Sequence, residues 1–300
     1  MILIDGDGTL PGGESADWAS FEAAFEEAAG SPPCAVLATN SSVRLPMRIR
    51  SGIISIQMRI CAAQTQPIKG DIQSNIANHK ALIRQAAYDG VEMIMFPELS
   101  LTGYEPTLAR DLAMDEADTR LDDFQALSDA NGITIGVGAP TIHGEGIRIS
   151  LFVFQPHRPR YVYAKTYLHR DEEPFFVRGR STPHIQVKQA NIALAICYEI
   201  SVAEHLDAVM KSPPAIYLAS VAKSVSGCDK ALARLSGIAR DGSMPVVMSN
   251  CVGIADGQPC AGMTSIWNRD GSLIGQLNDS DQGLLSFDTE THEIIERIFR

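Results

Sequence analysis

An acid, an amine and a thiol each close a run of β-type residues in this chain. The runs are Met93-Ile94-Met95-Phe96-Pro97-Glu98, Tyr161-Val162-Tyr163-Ala164-Lys165 and Ile192-Ala193-Leu194-Ala195-Ile196-Cys197. Each reactive side chain thus falls where a buried strand would surface. A thiol that attacks an acyl carbon needs a base for its proton and a cation or donor for the developing oxyanion. A cysteine hydrolase uses all three groups. Taken singly, each has a plainer reading: Cys197 as a small buried hydrophobe, Glu98 as a cap after a strand, Lys165 as a solvated lysine. Their conjunction is what points to a site.

The flanking residues refine those roles. Cys197 lies between an apolar strand and Tyr198-Glu199-Ile200-Ser201, which leads toward a helix. A sharp turn there would expose the side chain and aim amide N–H groups at it, lowering the thiol pKa below its usual ~8.5. Glu98 has apolar neighbours on both sides, and desolvation raises a carboxylate toward use as a base. The acidic run Asp171-Glu172-Glu173 before Pro174-Phe175-Phe176 is either a solvated turn or the source of an acid that braces Lys165 or positions a substrate amine.

The elements that must place these groups alternate along the chain. A strand is predicted at Met58 to Thr65. Helical apolar spacing over Asn75 to Tyr88 uses Ile76, Ala77, Ala81, Ile83, Ala87 and Tyr88, with Gly90 as a stop. Glu92 to Phe96 reads as a buried strand, Asp118 to Asn131 as a helix and Ile133 to Val137 as a strand. Ile147 to Gln155 and Arg160 to Lys165 read as a strand pair, followed by strands at His184 to Val187 and Ile192 to Ile196. Val202 to Lys211 and Asp229 to Asp241 are helical; Ala215 to Ala219, Pro245 to Ser249, Met263 to Trp267 and Gly283 to Phe287 are strands. Thr289 to Phe299 is expected to be a closing amphipathic helix. Many strands are short continuous apolar runs, as when both faces are covered, which indicates layered α/β packing.

Bulk properties narrow the classes. The chain has 300 residues, 45% of them hydrophobic, and a formal net charge of -11. The acidic balance argues against non-specific nucleic-acid binding. Six cysteines form no CxxC pair and no zinc-spaced Cys/His cluster. The first residues lack the basic region of a secretory signal, and no apolar run approaches the roughly 18 residues of a membrane span. A cytoplasmic protein with reduced thiols and no membrane partner is expected.

Phe96-Pro97-Glu98, Lys165-Thr166-Tyr167-Leu168 and Cys197-Tyr198-Glu199 together resemble the motifs of the carbon–nitrogen hydrolases, the nitrilase/amidase superfamily. Glu172, ahead of Phe175-Phe176 and Gly179, matches that family's second active-site glutamate; Glu173 is one position out of register. The resemblance runs from about Met58 to the C-terminus. It implies a four-layer αββα sandwich over residues 58–300 and a Glu98–Lys165–Cys197 triad with Glu172 as a fourth member. Glu98 would deprotonate Cys197, and Lys165 with the Tyr198 N–H would hold the oxyanion. Tyr104, Tyr198, Ser220 and Val221 would line the substrate pocket. A homodimer would be the minimum assembly, and no metal or organic cofactor would be needed. Ser201 stands where some branches carry an arginine that meets a substrate carboxylate, which counts against such a substrate. Tyr198, in place of the tryptophan common in nitrilases, favours small amides over nitriles. Ser220-Val221-Ala222-Lys223 also matches the S-x-x-K element of serine penicillin-binding enzymes, but the companion K-T-G and S-D-N elements are absent.

Composition shifts near residue 50, where a basic stretch from Arg44 to Arg50 leads into Ser51-Gly52 as a linker. Before it, Asp5-Gly6-Asp7-Gly8-Thr9 and the run from Ala35 to Ser42 resemble the first two motifs of the haloacid-dehalogenase-like phosphatases. That resemblance over residues 1–47 would make Asp5 a nucleophile and Asp7 an acid/base facing Mg²⁺. The later lysine and acidic motifs of that family would have to come from a domain already committed elsewhere. The segment 1–52 therefore reads as a truncated extension.

Overall fold

The computed structural model describes residues 57–299, together with the backbone of two short paired strands, Ile49–Arg50 and Ile53–Ile54. Asp5, Asp7 and the run from Ala35 to Ser42 lie outside the described residues.

Two sheets carry the fold. The first contains β1 (Arg59–Gln64), β2 (Met93–Met95), β3 (Thr134–His143), β4 (Gly146–Phe154) and β5 (Tyr161–Ala164). The second contains β6 (His184–Val187), β7 (Ala190–Ile196), β8 (Ile216–Ser220), β9 (Val246–Ser249), β10 (Ser265–Trp267) and β11 (Leu273–Gln276). The chain then returns to the first sheet with β12 (Gln282–Asp288) and β13 (Ile294–Phe299). The strand orders are β13-β12-β1-β2-β3-β4-β5 and β11-β10-β9-β8-β7-β6. Each sheet has a parallel centre, β1-β2-β3 and β7-β8-β9, with antiparallel flanks. Strands of such a centre are buried on both faces, and β2, β8 and β9 are buried throughout.

Helices α1 (Ile72–Tyr88) and α2 (Asp122–Asn131) pack on each other, and α2 covers the first sheet. Helix α3 (Ala203–Met210) follows the Cys197 turn, and α4 (Val225–Gly242) covers the second sheet at β9 and β10. The result is the four-layer αββα sandwich, with the apolar core between the sheets. Two serines tie the sheets together at their strand ends: Ser249 Oγ donates to Ala63 O at 2.5 Å and Ser220 Oγ to Phe96 O at 2.8 Å.

Two local expectations are corrected. Residues 289–299 do not form a helix. Asp288 Oδ1 accepts the N–H groups of Glu290 and Thr291, and His292 at φ 61° completes a reversal. Ile294–Phe299 then pairs with β12, covering an edge that would otherwise expose unpaired backbone groups. Helix α1 starts at Ile72, capped by Asp71, whose side chain accepts the Ser74 N–H. Its buried face is Ile72, Asn75, Ile76, His79, Leu82, Ile83 and Ala86, while Tyr88 is 79% exposed. Two polar residues on the inner face, Asn75 and His79, shift it away from the purely apolar stripe.

Candidate active site

The C-terminal ends of β2, β5, β7 and β8 meet at one place, and Glu98, Lys165 and Cys197 stand there. Ligands in open α/β sheets collect outside the carboxyl ends of strands.

Glu98 follows β2 in a tight loop. Leu99 takes φ 51°, and the loop presses so close to β3 that a Cβ on Gly138 would lie 2.4 Å from Leu99 N. Helix α1 fixes this loop from behind. Asn75 Nδ2 donates to Leu101 O at 3.1 Å, His79 Nε2 lies 2.9 Å from Ser100 Oγ, and the His79 ring stacks on Phe96 at 4.1 Å. Lys165 leaves β5 with its N–H on Ile149 O and its carbonyl accepting from Gly179 N at 2.7 Å. A Cβ on Gly179 would meet Ala164 O at 2.2 Å, so this approach requires glycine.

The Lys165 side chain is 0% exposed and lies between two carboxylates, with Nζ 2.7 Å from Glu98 Oε1 and 2.6 Å from Glu172 Oε1. Burial disfavours the ammonium, but Glu98, Cys197 and Glu172 outweigh it and raise the pKa. An ammonium has three protons, and two are spent here. The two glutamates differ in what remains. Glu172 has both oxygens engaged: Oε1 also accepts from Tyr104 OH at 3.0 Å, and Oε2 accepts the His169 N–H at 2.8 Å. Glu98 Oε2 is buried and has no hydrogen-bond partner. Burial holds Glu98 above the ordinary carboxylate range, with Lys165 opposing and Glu172 reinforcing the shift. Glu173 points outward and pairs with Arg178.

Cys197 opens a 3-10 turn, Cys197–Ser201, at φ 44°, a conformation that L side chains adopt at a cost. It is 9% exposed. The thiol does not have the depressed pKa expected of such a turn. Burial, with Glu98 beside it, pushes it up to about 11 against the pull of Lys223 and Lys165. One short turn of amides does not offset desolvation and a neighbouring acid.

Three contributors were given no role from the sequence, although Glu199 closes the Cys197-Tyr198-Glu199 motif and Lys223 ends Ser220-Val221-Ala222-Lys223. Glu199 is 0% exposed and ties the thiol turn to the lysine strand. Its Oε1 accepts Thr166 N–H at 2.7 Å and Tyr167 N–H at 3.3 Å; its Oε2 accepts Ile196 N–H at 2.9 Å and Tyr163 OH at 2.7 Å. Lys223 is half-buried, and among the described residues no carboxylate pairs with it; Cys197 is the foremost cause of its raised pKa. Asn250 holds the Lys223 backbone, accepting its N–H at 2.8 Å.

The expected pocket residues fall around these groups. Tyr104 bonds Glu172, and the Tyr198 ring sits edge-on to His169 at 5.0 Å. Ser220 and Val221 are buried in the wall: the Ser220 hydroxyl is used by Phe96, and Val221 O accepts the Glu98 N–H at 3.3 Å. Among the described residues no group of three or more His, Cys, Asp or Glu side chains could hold a metal ion, and no helix is long and apolar enough to cross a membrane.

The sequence profile of the carbon–nitrogen hydrolases matches residues 57–297. Solved structures of an amidase from Nesterenkonia sp. AN1 share the fold. A cysteine-to-alanine mutant of it in complex with butyramide superposes with a TM-score of 0.70 at 20% identity, covering 77% of this chain and 90% of that one. A glutamate-to-glutamine mutant, with acrylamide added at its active-site cysteine, gives 0.70 at 20%, covering 76% and 92%. The amidase after removal of its tag gives 0.69 at 21%, covering 76% and 91%. No curated protein matches the chain by sequence.

Proposed function

The chain belongs to the carbon–nitrogen hydrolase family, and on that footing we propose that it is an amidase that cleaves small amides through a thioester on Cys197. The observation that carries this reading is the division of labour between two buried glutamates. Glu172 has both carboxylate oxygens engaged and braces Lys165, whereas Glu98 Oε2 accepts from no other side chain or backbone group and has the Cys197 thiol as its neighbouring donor.

The thiol pKa of about 11 sets the problem for the enzyme. At neutral pH, free ionisation of such a thiol costs about 5 kcal/mol, at about 1.4 kcal/mol per pH unit. Transfer of the proton to Glu98 Oε2 as sulfur attacks avoids forming the free thiolate. The amide carbonyl oxygen becomes an oxyanion, received by the unspent Lys165 proton and by the Tyr198 N–H in the first turn after Cys197. Glu98 then gives its proton to the departing nitrogen, the C–N bond breaks and ammonia or an amine leaves. Water, deprotonated by Glu98, attacks the thioester, releasing the carboxylic acid and restoring the thiol.

Short aliphatic amides, such as those seen with the Nesterenkonia amidase, are the first panel to test. Ammonia release is measured with wild type and Cys197→Ala on matched amides and nitriles. Wild type is expected to turn over amides preferentially, and the variant to show none. Turnover surviving Cys197→Ala would overturn the mechanism, and preference for the nitriles would reassign the substrate class.

A further inference from the structure

Cys251 and Cys260 lie outside the chemistry described above, yet their sulfur atoms are only 3.1 Å apart. Both are free, and both are buried. They flank a hairpin whose strands, Ile254–Ala255 and Gln258–Pro259, pair antiparallel. The backbone already clamps the foot of this hairpin: Cys260 N donates to Gly253 O at 2.8 Å and Gly262 N to Cys251 O at 2.9 Å. At the tip, Asp256 N donates to Glu105 Oε1 at 3.2 Å. Closing the sulfurs to the disulfide length of about 2.05 Å needs about 1 Å of movement.

We infer that Cys251 and Cys260 form a dithiol that hydroperoxides oxidise to an intramolecular disulfide, stapling the foot of this hairpin. The two thiols have unequal roles. Cys251 donates its S–H to Cys260, which lowers the Cys260 pKa and raises that of Cys251. Cys61, by contrast, is pushed up to about 12 by burial, and Cys228 is also raised. Thiolate character and access together select which cysteine a peroxide attacks, and Cys260, 7% exposed, is the more open of the pair, with Cys251 at 3%. The Cys260 sulfur takes the terminal oxygen of the hydroperoxide, the O–O bond breaks, and the alcohol leaves after protonation. The resulting sulfenic acid is attacked by the Cys251 sulfur, which expels water and forms the S–S bond. Two thiols and one hydroperoxide thus give one disulfide, one alcohol and one water, and an added dithiol reverses the outcome.

The staple adjoins the active site on both sides. Asn250, next to Cys251, accepts the Lys223 N–H, and Ala261, next to Cys260, donates to Lys223 O at 2.9 Å.

The test uses the full chain with Cys197→Ala, so that the site nucleophile cannot compete. It is treated with stoichiometric hydrogen peroxide, its remaining thiols are alkylated, and it is digested for peptide mass. The expected product is a cross-linked peptide joining Cys251 and Cys260, lighter by two hydrogens and lost on adding dithiothreitol. A second arm uses a 1,3-dicarbonyl trap for sulfenic acid. The trap should label Cys260 in Cys251→Ser and leave Cys251 unlabelled in Cys260→Ser. Recovery of both residues as alkylated thiols, linkage of either to another cysteine, or trapping at Cys251 would each overturn the inference.

Discussion

Replacing Glu199 by Gln probes how the site is held together, because the change keeps shape and removes one acceptor. Glu199 receives four hydrogen bonds, three of them from backbone N–H groups at Thr166, Tyr167 and Ile196. A glutamine can keep its oxygen toward Thr166 and Tyr167, but its NH₂ then faces the Ile196 N–H. One buried donor is left unsatisfied, at about 1–3 kcal/mol, and the remaining bonds lose charge assistance. A total of about 2–4 kcal/mol follows, at about 2–4 °C of Tm per kcal/mol for a domain of this size. The functional loss should be larger than the stability loss suggests. Ile196 precedes Cys197 and Thr166 follows Lys165, so Glu199 sets the distance between the two groups that the proposed mechanism uses as nucleophile and oxyanion donor. A misplacement of about 1 Å can cost about 10²-fold in rate.

The assay measures kcat and KM separately, with thermal unfolding, for Glu199→Gln and Glu199→Asp. A fall of about 10²-fold in kcat with KM within a few-fold is expected for the glutamine variant, and partial recovery for aspartate, which restores the charge. A folded Glu199→Gln enzyme with wild-type kcat would refute the positioning argument.

Three further outcomes follow from the same geometry. Glu98 must be unprotonated to accept the thiol proton, so kcat/KM should rise with pH through its raised pKa; Glu98→Gln should abolish that limb and cost about 10²–10⁴-fold. Lys223→Met removes a cation that lowers the Cys197 pKa, so alkylation of Cys197 at fixed pH should slow, about tenfold for each pH unit the thiol rises; an unchanged rate would remove Lys223 from the site. His79 is buried neutral with its pKa lowered to about 3 from 6.5, so its contribution is complete above pH 6.5 and is lost as pH falls toward 3. That loss reaches about 5 kcal/mol at about 1.4 kcal/mol per unit, and denaturant unfolding across this range should be one proton less steep for His79→Gln; equal slopes would exclude the assignment.

The placing of Glu98, Lys165 and Cys197 was legible because it depends on local pattern. A short apolar run marks a buried strand, and a polar residue at its end marks where the strand leaves the core. Layered α/β packing followed from many such runs with helices between them, whereas the four-layer αββα order came from the resemblance to the carbon–nitrogen hydrolases. The final strand was not legible in the same way. Ile294, Ile295, Ile298 and Phe299 suit one side of a helix as well as an edge strand, and what decides is the open edge of β12, the preceding strand of the same sheet, onto which the chain reverses at Asp288 to His292. Glu199 reads locally as one acid in a turn. Its role appears only when residues more than thirty positions away, Thr166 and Tyr167, bring their N–H groups to it.

The thiol pKa shows why motif and environment must be weighed separately. The turn at Cys197 has the backbone form associated with an activated nucleophile, with a left-handed φ and amides following it. Spacing along the chain suggests a lowered pKa, but the three-dimensional site buries the sulfur beside an acid and raises it. The two facts are compatible if activation occurs at the moment of attack. A thiol kept protonated at rest is a poor target for stray electrophiles, and a carboxylate with one free oxygen can take the proton when a substrate carbon arrives. On this account the resting site stores no thiolate. Selectivity for a carbon bonded to nitrogen then comes from the requirement that one acid, Glu98, take the sulfur's proton and deliver it to the leaving nitrogen.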